Sequence, residues 1–594
     1  MSASRTTATG WLSDTVPAVD VDVPEDLPPP QDTTVDRRWV LQRAAWVSAA
    51  AAAGTLLVAQ PAAAGETDAR TSYRDPAADG IRPGALDDPT ELTVAEALLA
   101  FKTGKLTPVA LMEAYLARIE KYEAIYLAYN DRPDPAEVIA KATALGRRPG
   151  PKALLWGTAQ APKDNYYTAD LLTTGNSPIF SDFQPTYDST CVARLRGAGG
   201  IVIGKAQMGP LASGRALLPG TNIPTTRNAW TPDDIRYSPS GSSGGTGTAV
   251  AGRLATSGIG TQTGGSITSP GQAQGLTALK PTFGRTSLYG VIPLTYTRDH
   301  TGPLARDAKD AAIMLQALAG ADANDPRTVG LPPVPDYITA ATPVTRRRRL
   351  ELRWPTRIGI YPGWAKPTDP EQAALRAEVI RLLSGIPGCT LFDVTLPEGW
   401  AELSALSSTT GEGSNWFVPY LREDVAQFAT RLTGFLSGTL RSASTYLKAM
   451  MARYELFERT QAQLWTQCDL VLGASVGDFD GIGHPVCSFP IGFGTDATTG
   501  LTVPRGGILG GPPFSEERIL SVICAFQTLT DWHTRRPADP TIAAPTPPVA
   551  AARSGAAAMF SAQEATVSSV ASWPGMAPDF VYTIDPDAQP PDES

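Results

Sequence analysis

Apolar positions in the middle of the chain follow helical spacing in some stretches and short unbroken runs in others. Val94, Ala97, Leu98 and Phe101 recur at the interval of one helix face. Thr93 and Glu96 precede that stripe with the spacing of a capping box, and Gly104 ends it. Thr107-Pro108 opens a second helix, since proline suits the first turn, with Met112, Leu116 and Ile119 along one side. Cys191 to Arg196 reads as helix, Gly197 to Gly200 as its stop, and Ile201-Val202-Ile203 as a short buried strand. The alternation continues with helices over 307–319 and 371–383 and strands over 357–361, 389–394 and 469–473. Ser515 caps a last amphipathic helix carrying Ile519, Ile523, Phe526 and Leu529. Helix alternating with short apolar strand predicts an α/β fold.

The two ends depart from this pattern. The first 36 residues are rich in Pro, Asp, Thr and Ser and poor in large apolar side chains, so they read as disordered. Arg37-Arg38 then precedes an alanine-rich apolar run, Ala44 to Ala59, and the small residues Pro61-Ala62-Ala63-Ala64. Twin arginine, apolar region and small-residue exit together read as a twin-arginine export signal cleaved after Ala64. The competing reading is an uncleaved anchor, but the run is short and weakly apolar for a spanning helix. Export to the periplasm or medium is therefore expected, with a cytoplasmic location if the signal is unused. Residues 65–85 read as a linker. From Ala538 the composition shifts to Pro, Ala, Ser and Asp, so 538–594 reads as a tail.

Composition narrows the function classes. Hydrophobic residues make up 42% of the 594, enough for a large core. The formal net charge of −9, without a long basic run, argues against a nucleic-acid partner. Five scattered cysteines form no Cys-x-x-Cys pair, which leaves zinc and redox readings unsupported. Neither a cofactor nor a metal is expected, nor stable membrane insertion. The oligomeric state stays open, a homodimer being one option.

The densest chemistry lies between Ser238 and Pro270. Ser240-Gly241-Ser242-Ser243-Gly244-Gly245 and Thr261-Gln262-Thr263-Gly264-Gly265-Ser266-Ile267 flank a short Ala- and Val-rich segment. Glycine lets backbone approach a ligand closely, and serine supplies a hydroxyl that can attack. Two such loops suggest a site of backbone N–H groups and serine hydroxyls.

Here the chain resembles the amidase signature hydrolases. The Gly-Ser-Ser-Gly-Gly loop carries Ser242, and the Gly-Gly-Ser-Ile loop carries Ser266, 24 residues later. Pro162-Lys163-Asp164-Asn165 supplies the family's lysine as Lys163. The likeness continues through 275–285 and 301–306, returns at Gly483-His484-Pro485-Val486 and Asp531-Trp532-His533, and spans roughly 86–537. It implies a single large domain, with a mixed sheet covered by helices on both sides. It also implies hydrolysis of a small-molecule carboxylic amide, with esters or carbamates as further substrates. Ser266 would attack, and Ser242, after a cis peptide bond, would relay the proton to Lys163. The backbone N–H groups of Thr263, Gly264, Gly265 and Ser266 would bind the oxyanion. Lys163 would need a pKa far below the ordinary lysine value of ~10.4.

The family pattern is not matched everywhere. Many members have Asp at the position of Gln262 and Arg at that of Thr268, so neutral hydrogen bonds are expected behind the nucleophile loop here. Met208-Gly209-Pro210-Leu211 lacks a common acidic residue, which favours an uncharged pocket wall. Trp416, Phe417 and Tyr420 are candidates for that wall, or else ordinary core aromatics.

Competing chemistries fit less well. Gly241-x-Ser243-x-Gly245 matches a nucleophile elbow, yet Thr231 to Ser240 is polar and holds two prolines where a strand is required. The three histidines, His300, His484 and His533, offer no credible base. Neither phosphate-binding glycine motif occurs in a strand–helix setting. Two other functions remain. One is a component of an amidotransferase that supplies ammonia to a partner enzyme, against which the export signal argues. The other is a non-catalytic binding protein, against which the intact Ser-Ser-Lys set argues.

Overall fold

The computed structural model describes residues 80–146, 153–219, 221–408, 411–474 and 476–543. The expected export signal, most of the expected linker and nearly all of the expected tail lie outside these residues. A ten-stranded mixed sheet forms the centre. Its strands, in chain order, are β1 (Ala159–Pro162), β2 (Ile201–Val202), β3 (Ser257–Gln262), β4 (Thr277–Lys280), β5 (His300–Ala305), β6 (Thr356–Ile360), β7 (Cys389–Asp393), β8 (Leu470–Leu472), β9 (Val486–Thr495) and β10 (Thr502–Gly510). Across the sheet they run β7-β6-β8-β10-β9-β4-β5-β3-β1-β2. The two wings are parallel, β7-β6-β8 and β3-β1-β2, and the strands between them pair antiparallel. Parallel strands need crossovers, and helices supply them.

The helices follow the sequence pattern closely. Val94–Lys102 begins with the capping box, in which Thr93 accepts from the Glu96 N–H and the Glu96 side chain accepts from the Thr93 N–H. Pro108–Tyr126 begins at its proline behind a Thr107 cap. The expected elements farther along appear as Thr190–Gly197, Ala308–Leu318, Pro370–Ser384 and Glu516–Thr528, each within a few residues of its expected bounds. One detail differs. Ser515 stands at the N-cap of the last helix but caps nothing, because its hydroxyl donates to Pro512 O at 2.7 Å.

One large apolar cluster joins the first helices to β1 and β3, and a second joins the last helix to β9 and β10. A smaller aromatic cluster of Leu211, Ile292, Phe417, Leu421, Phe428 and Phe435 stands apart from both. All five cysteines are free thiols, four of them buried. Among the described residues no helix is long and apolar enough to cross a membrane.

Candidate active site

Three segments converge at the ends of neighbouring parallel strands. Lys163 follows β1 directly and Gln262 ends β3, so the two chain exits lie side by side. Open parallel sheets place ligand sites at these carboxyl ends. The third segment, Ser240 to Ser243, leads into the helix Gly244–Ala251, which returns the chain to β3. The Ser240–Ser243 loop and β3 are rich in small residues, and the packing requires it at two glycines. A Cβ on Gly260 would lie 2.5 Å from Ser243 Oγ, and one on Gly241 would lie 1.9 Å from Gly214 O.

The Gly241–Ser242 peptide bond is cis. Ser242 and Lys163 are wholly buried. Lys163 Nζ donates to Ser242 Oγ and to Thr261 Oγ1, each at 2.7 Å, and to Thr261 O at 3.3 Å. None of these acceptors is charged. Burial without a counter-ion favours the neutral amine and pushes the Lys163 pKa down to about 7, with only a partial opposing pull from Asp299. A neutral lysine amine can accept a proton, so the group is poised as a base near neutral pH.

Ser266 lies on the turn after β3, 8% exposed. Its carbonyl accepts from the Ser243 N–H at 3.1 Å, which ties the two serine loops together. Ser243, the serine of the rival elbow reading, is buried and donates to Thr261 O at 3.3 Å. Gly264 faces open space where a side chain would stand, which leaves room for a substrate carbonyl. Among the described residues, the N–H groups of Thr263, Gly264 and Ser266 meet no acceptor. Gly265 departs from the expected set of oxyanion donors. Its N–H donates to Asp480 Oδ2 at 2.8 Å and is engaged within the fold.

The expectation of purely neutral bonds behind this loop is also corrected. Gln262 Oε1 accepts from the N–H groups of Ile267 and Thr268, both at 2.9 Å, as the neutral part of the support. The Asp480 carboxylate takes the Gln262 amide at 2.8 and 3.1 Å and faces Lys280 Nζ at 3.5 Å. Asp480 was invisible to sequence reasoning because it lies 218 residues from Gln262. Thr261 lay within the motif, but nothing in its identity indicated that it would hold the lysine.

The histidines serve packing. Burial holds His300 and His484 well below the usual imidazole range, and it also lowers His533. His484 sits among Phe457, Trp465 and Phe479. Among the described residues none of the three bonds to Ser242, Ser243 or Ser266.

An apolar wall stands beside the serines. The Gly209 N–H donates to Ser242 O at 3.0 Å, and Leu211 follows two residues later. Ile292 exchanges hydrogen bonds with Asn165, two residues after Lys163. Both apolar residues belong to the cluster around Phe417 and Phe435. Phe417 is 2% exposed and Tyr420 packs on Phe180, whereas Trp416 is 48% exposed and lies outside that cluster.

Residues 110–479 match the Amidase family. The chain belongs to the amidase family. It is 31% identical to a glutamyl-tRNA(Gln) amidotransferase component of Roseiflexus sp. (strain RS-1), covering 75% of this chain and 98% of that protein. It is 30% identical to AmiD of Mycobacterium tuberculosis (strain H37Rv), covering 77% and 99%. The crystal structure of the peptide amidase from Stenotrophomonas maltophilia superposes with a TM-score of 0.63 at 25% identity, covering 76% and 99%. The fold is thus the amidase signature fold, and this member of the family is an amide-hydrolysing enzyme.

Proposed function

We propose that the protein cleaves its amide through a serine acyl-enzyme, with Ser266 as nucleophile, Ser242 as proton relay and Lys163 as base. The observation that carries this reading is the wholly buried Lys163, 2.7 Å from Ser242 Oγ and without a carboxylate partner. Neutral Lys163 takes the Ser242 proton as Ser242 takes that of Ser266. Ser266 Oγ then adds to the substrate carbonyl. The free N–H groups of the 263–266 turn stabilise the oxyanion, and the relay returns the proton to the leaving amine. Water reverses the sequence to release the acid.

The aromatic cluster beside the serines supports a substrate with an apolar or aromatic group on one side of the amide. Esters and carbamates fit the same acyl chemistry. A second reading, a component of an amidotransferase, rests on the 31% identity to such a protein. It predicts a partner that co-purifies and ammonia release coupled to that partner. For the chain ends, we propose a twin-arginine signal removed after Ala64, a catalytic domain over 86–537 and an appended tail, which places the enzyme outside the cytoplasm. Intact-mass measurement of exported protein still carrying Met1 counts against this.

The test of the nucleophile is Ser266→Ala beside Ser243→Ala, assayed on anilides, peptide amides, fatty amides and carbamates, with fluorophosphonate labelling. Loss of a nucleophile costs on the order of 10⁶ in turnover in comparable serine hydrolases. Wild-type turnover by Ser266→Ala together with an inactive Ser243→Ala hands the role to Ser243.

A further inference from the structure

The turn that carries Ser266 is supported from behind by one carboxylate. Asp480, in the helix Val476–Gly481, is 1% exposed. Its Oδ2 accepts the Gly265 N–H at 2.8 Å, immediately before Ser266. Both its oxygens accept from Gln262 Nε2, at 2.8 and 3.1 Å. The other end of the Gln262 amide, Oε1, accepts the N–H groups of Ile267 and Thr268 at 2.9 Å and the Thr268 hydroxyl at 3.1 Å. Ser266 is therefore braced on both sides, and both braces lead to Asp480.

The polarity of this network is fixed from both ends. A glutamine amide has nearly the same shape either way round, and its hydrogen-bond partners decide which end points where. The Ile267 and Thr268 N–H groups only donate, so they hold the oxygen of Gln262, and ionised Asp480 only accepts, so it holds the NH2. Lys280, wholly buried, lies 3.5 Å away and also donates to His484 O. Burial favours the neutral form of Asp480, and the Lys280 cation opposes this. Hydrogen bonds to an ionised acceptor are shorter and stronger than neutral ones. The brace is accordingly stiffer than an all-amide one.

We propose that Asp480 is the positioning residue for the nucleophile. It anchors the peptide before Ser266 directly and the peptides after it through the Gln262 amide, whose NH2 it holds. The inference rests on the reading of Ser266 as nucleophile. Asp480 does not touch the reacting atoms; it sets where Ser266 Oγ and the flanking N–H groups stand.

The test uses the full chain and four variants. Asp480→Asn removes the charge but keeps the shape, and its NH2 then stands against either the Gly265 N–H or Gln262 Nε2, so one donor of the brace loses its acceptor. Gln262→Glu with Asp480→Asn transposes the charge and restores the matches between the two side chains and to Gly265, Ile267 and Thr268, at the loss of the Lys280 contact. The new carboxylate accepts from Ile267 and Thr268, and the new amide donates to it while accepting from Gly265. Gln262→Glu alone sets two carboxylates face to face. Ser266→Ala is the control. Folded fraction is measured by circular dichroism and thermal unfolding, and kcat and KM are measured on one amide. Displacing a reacting group by about 1 Å costs on the order of 10² in rate, so kcat of Asp480→Asn is expected to fall about 100-fold with KM within about threefold. The transposed double variant is expected to regain at least about tenfold of that loss, which a stability role alone does not produce. If Asp480→Asn does not fold, the same comparison is made between Gln262→Glu alone and the double variant. Folded Asp480→Asn with wild-type kcat overturns the proposal. A loss confined to KM, or a folded double variant no better than its parent, overturns it too. If Ser266→Ala is inactive in these cases, only the role of Asp480 falls. An active Ser266→Ala removes the nucleophile reading and this inference with it.

Discussion

Lys163 and Lys205 lie close together, since Lys163 forms an isolated parallel bridge with Ala206, and both side chains are wholly buried. Their surroundings differ in one respect. Lys205 faces the Asp164 carboxylate at 3.3 Å and donates to Thr173 Oγ1 and Leu172 O. Lys163 has two hydroxyls and a carbonyl. A buried lysine beside a carboxylate forms a structural ion pair. A buried lysine beside hydroxyls alone loses its proton readily and is tied to a group that can pass one on. Lys280, with Asp480 at 3.5 Å, falls on the structural side of this division, although its carboxylate also supports the nucleophile turn. The chain thus uses buried lysines for two tasks, and the presence or absence of a carboxylate separates them.

The largest expected effect is on turnover. A positioned general base is worth about 10²–10⁴ in rate, so Lys163→Ala lowers kcat by that amount. Lys205→Met, assayed on the folded fraction, stays within about tenfold of wild type, because it touches no group in the relay. Equal losses in the two variants, each normalised to folded protein, break the distinction drawn between them.

The pH profile sharpens it. The Lys163 pKa lies near about 7, so kcat/KM rises through an acid limb with its midpoint there and levels off at higher pH as the amine becomes neutral. The limb disappears in Lys163→Ala. His300, His484 and His533 all have pKa values lowered by burial, so replacing them with Gln or Asn leaves the limb in place in the folded triple variant. A limb that vanishes with the histidines and survives Lys163→Ala assigns the base to one of them.

Stability separates the lysines in opposite directions. Removing one partner of a buried ion pair costs about 3–5 kcal/mol, so Lys205→Met, which strands Asp164, lowers the unfolding free energy by that order. Lys163 has the opposite linkage. Its folded pKa lies below the unfolded value, so the unfolded state binds more protons between about pH 7 and the ordinary lysine pKa of ~10.4. The destabilisation from its burial is fully present below about pH 7 and fades as pH rises toward ~10.4. Lys163→Met is therefore more stable than wild type at pH 7, and chemical denaturation at pH 7 and pH 10 shows the gap narrowing.

The smallest effect tests the wall beside the relay. Phe435→Ala leaves kcat/KM on a small aliphatic amide within about threefold. It costs an aromatic or long apolar amide about tenfold, the scale of a lost apolar contact. Equal losses on both substrates mean that the cluster only supports the fold.

The sequence by itself determined part of the elements and the three side chains proposed to react. The capping box at Thr93, the helix starting at Pro108 and the short apolar strands are local patterns, and local patterns are visible in a linear string. Ser242, Ser266 and Lys163 were visible because the glycines around them are required by backbone contacts, such as Gly260 against Ser243 Oγ, and so leave a fixed motif. Tertiary structure decided which polar groups meet. It brought Thr261 rather than a carboxylate to Lys163, and so set the charge state of the base. It brought Asp480 across 218 residues to Gln262 and used the Gly265 N–H that the motif alone had assigned to the oxyanion. A hydrogen bond between distant segments leaves no periodicity and no spacing in the chain. Only the fold, by bringing the helix Val476–Gly481 against the end of β3, determines such partners.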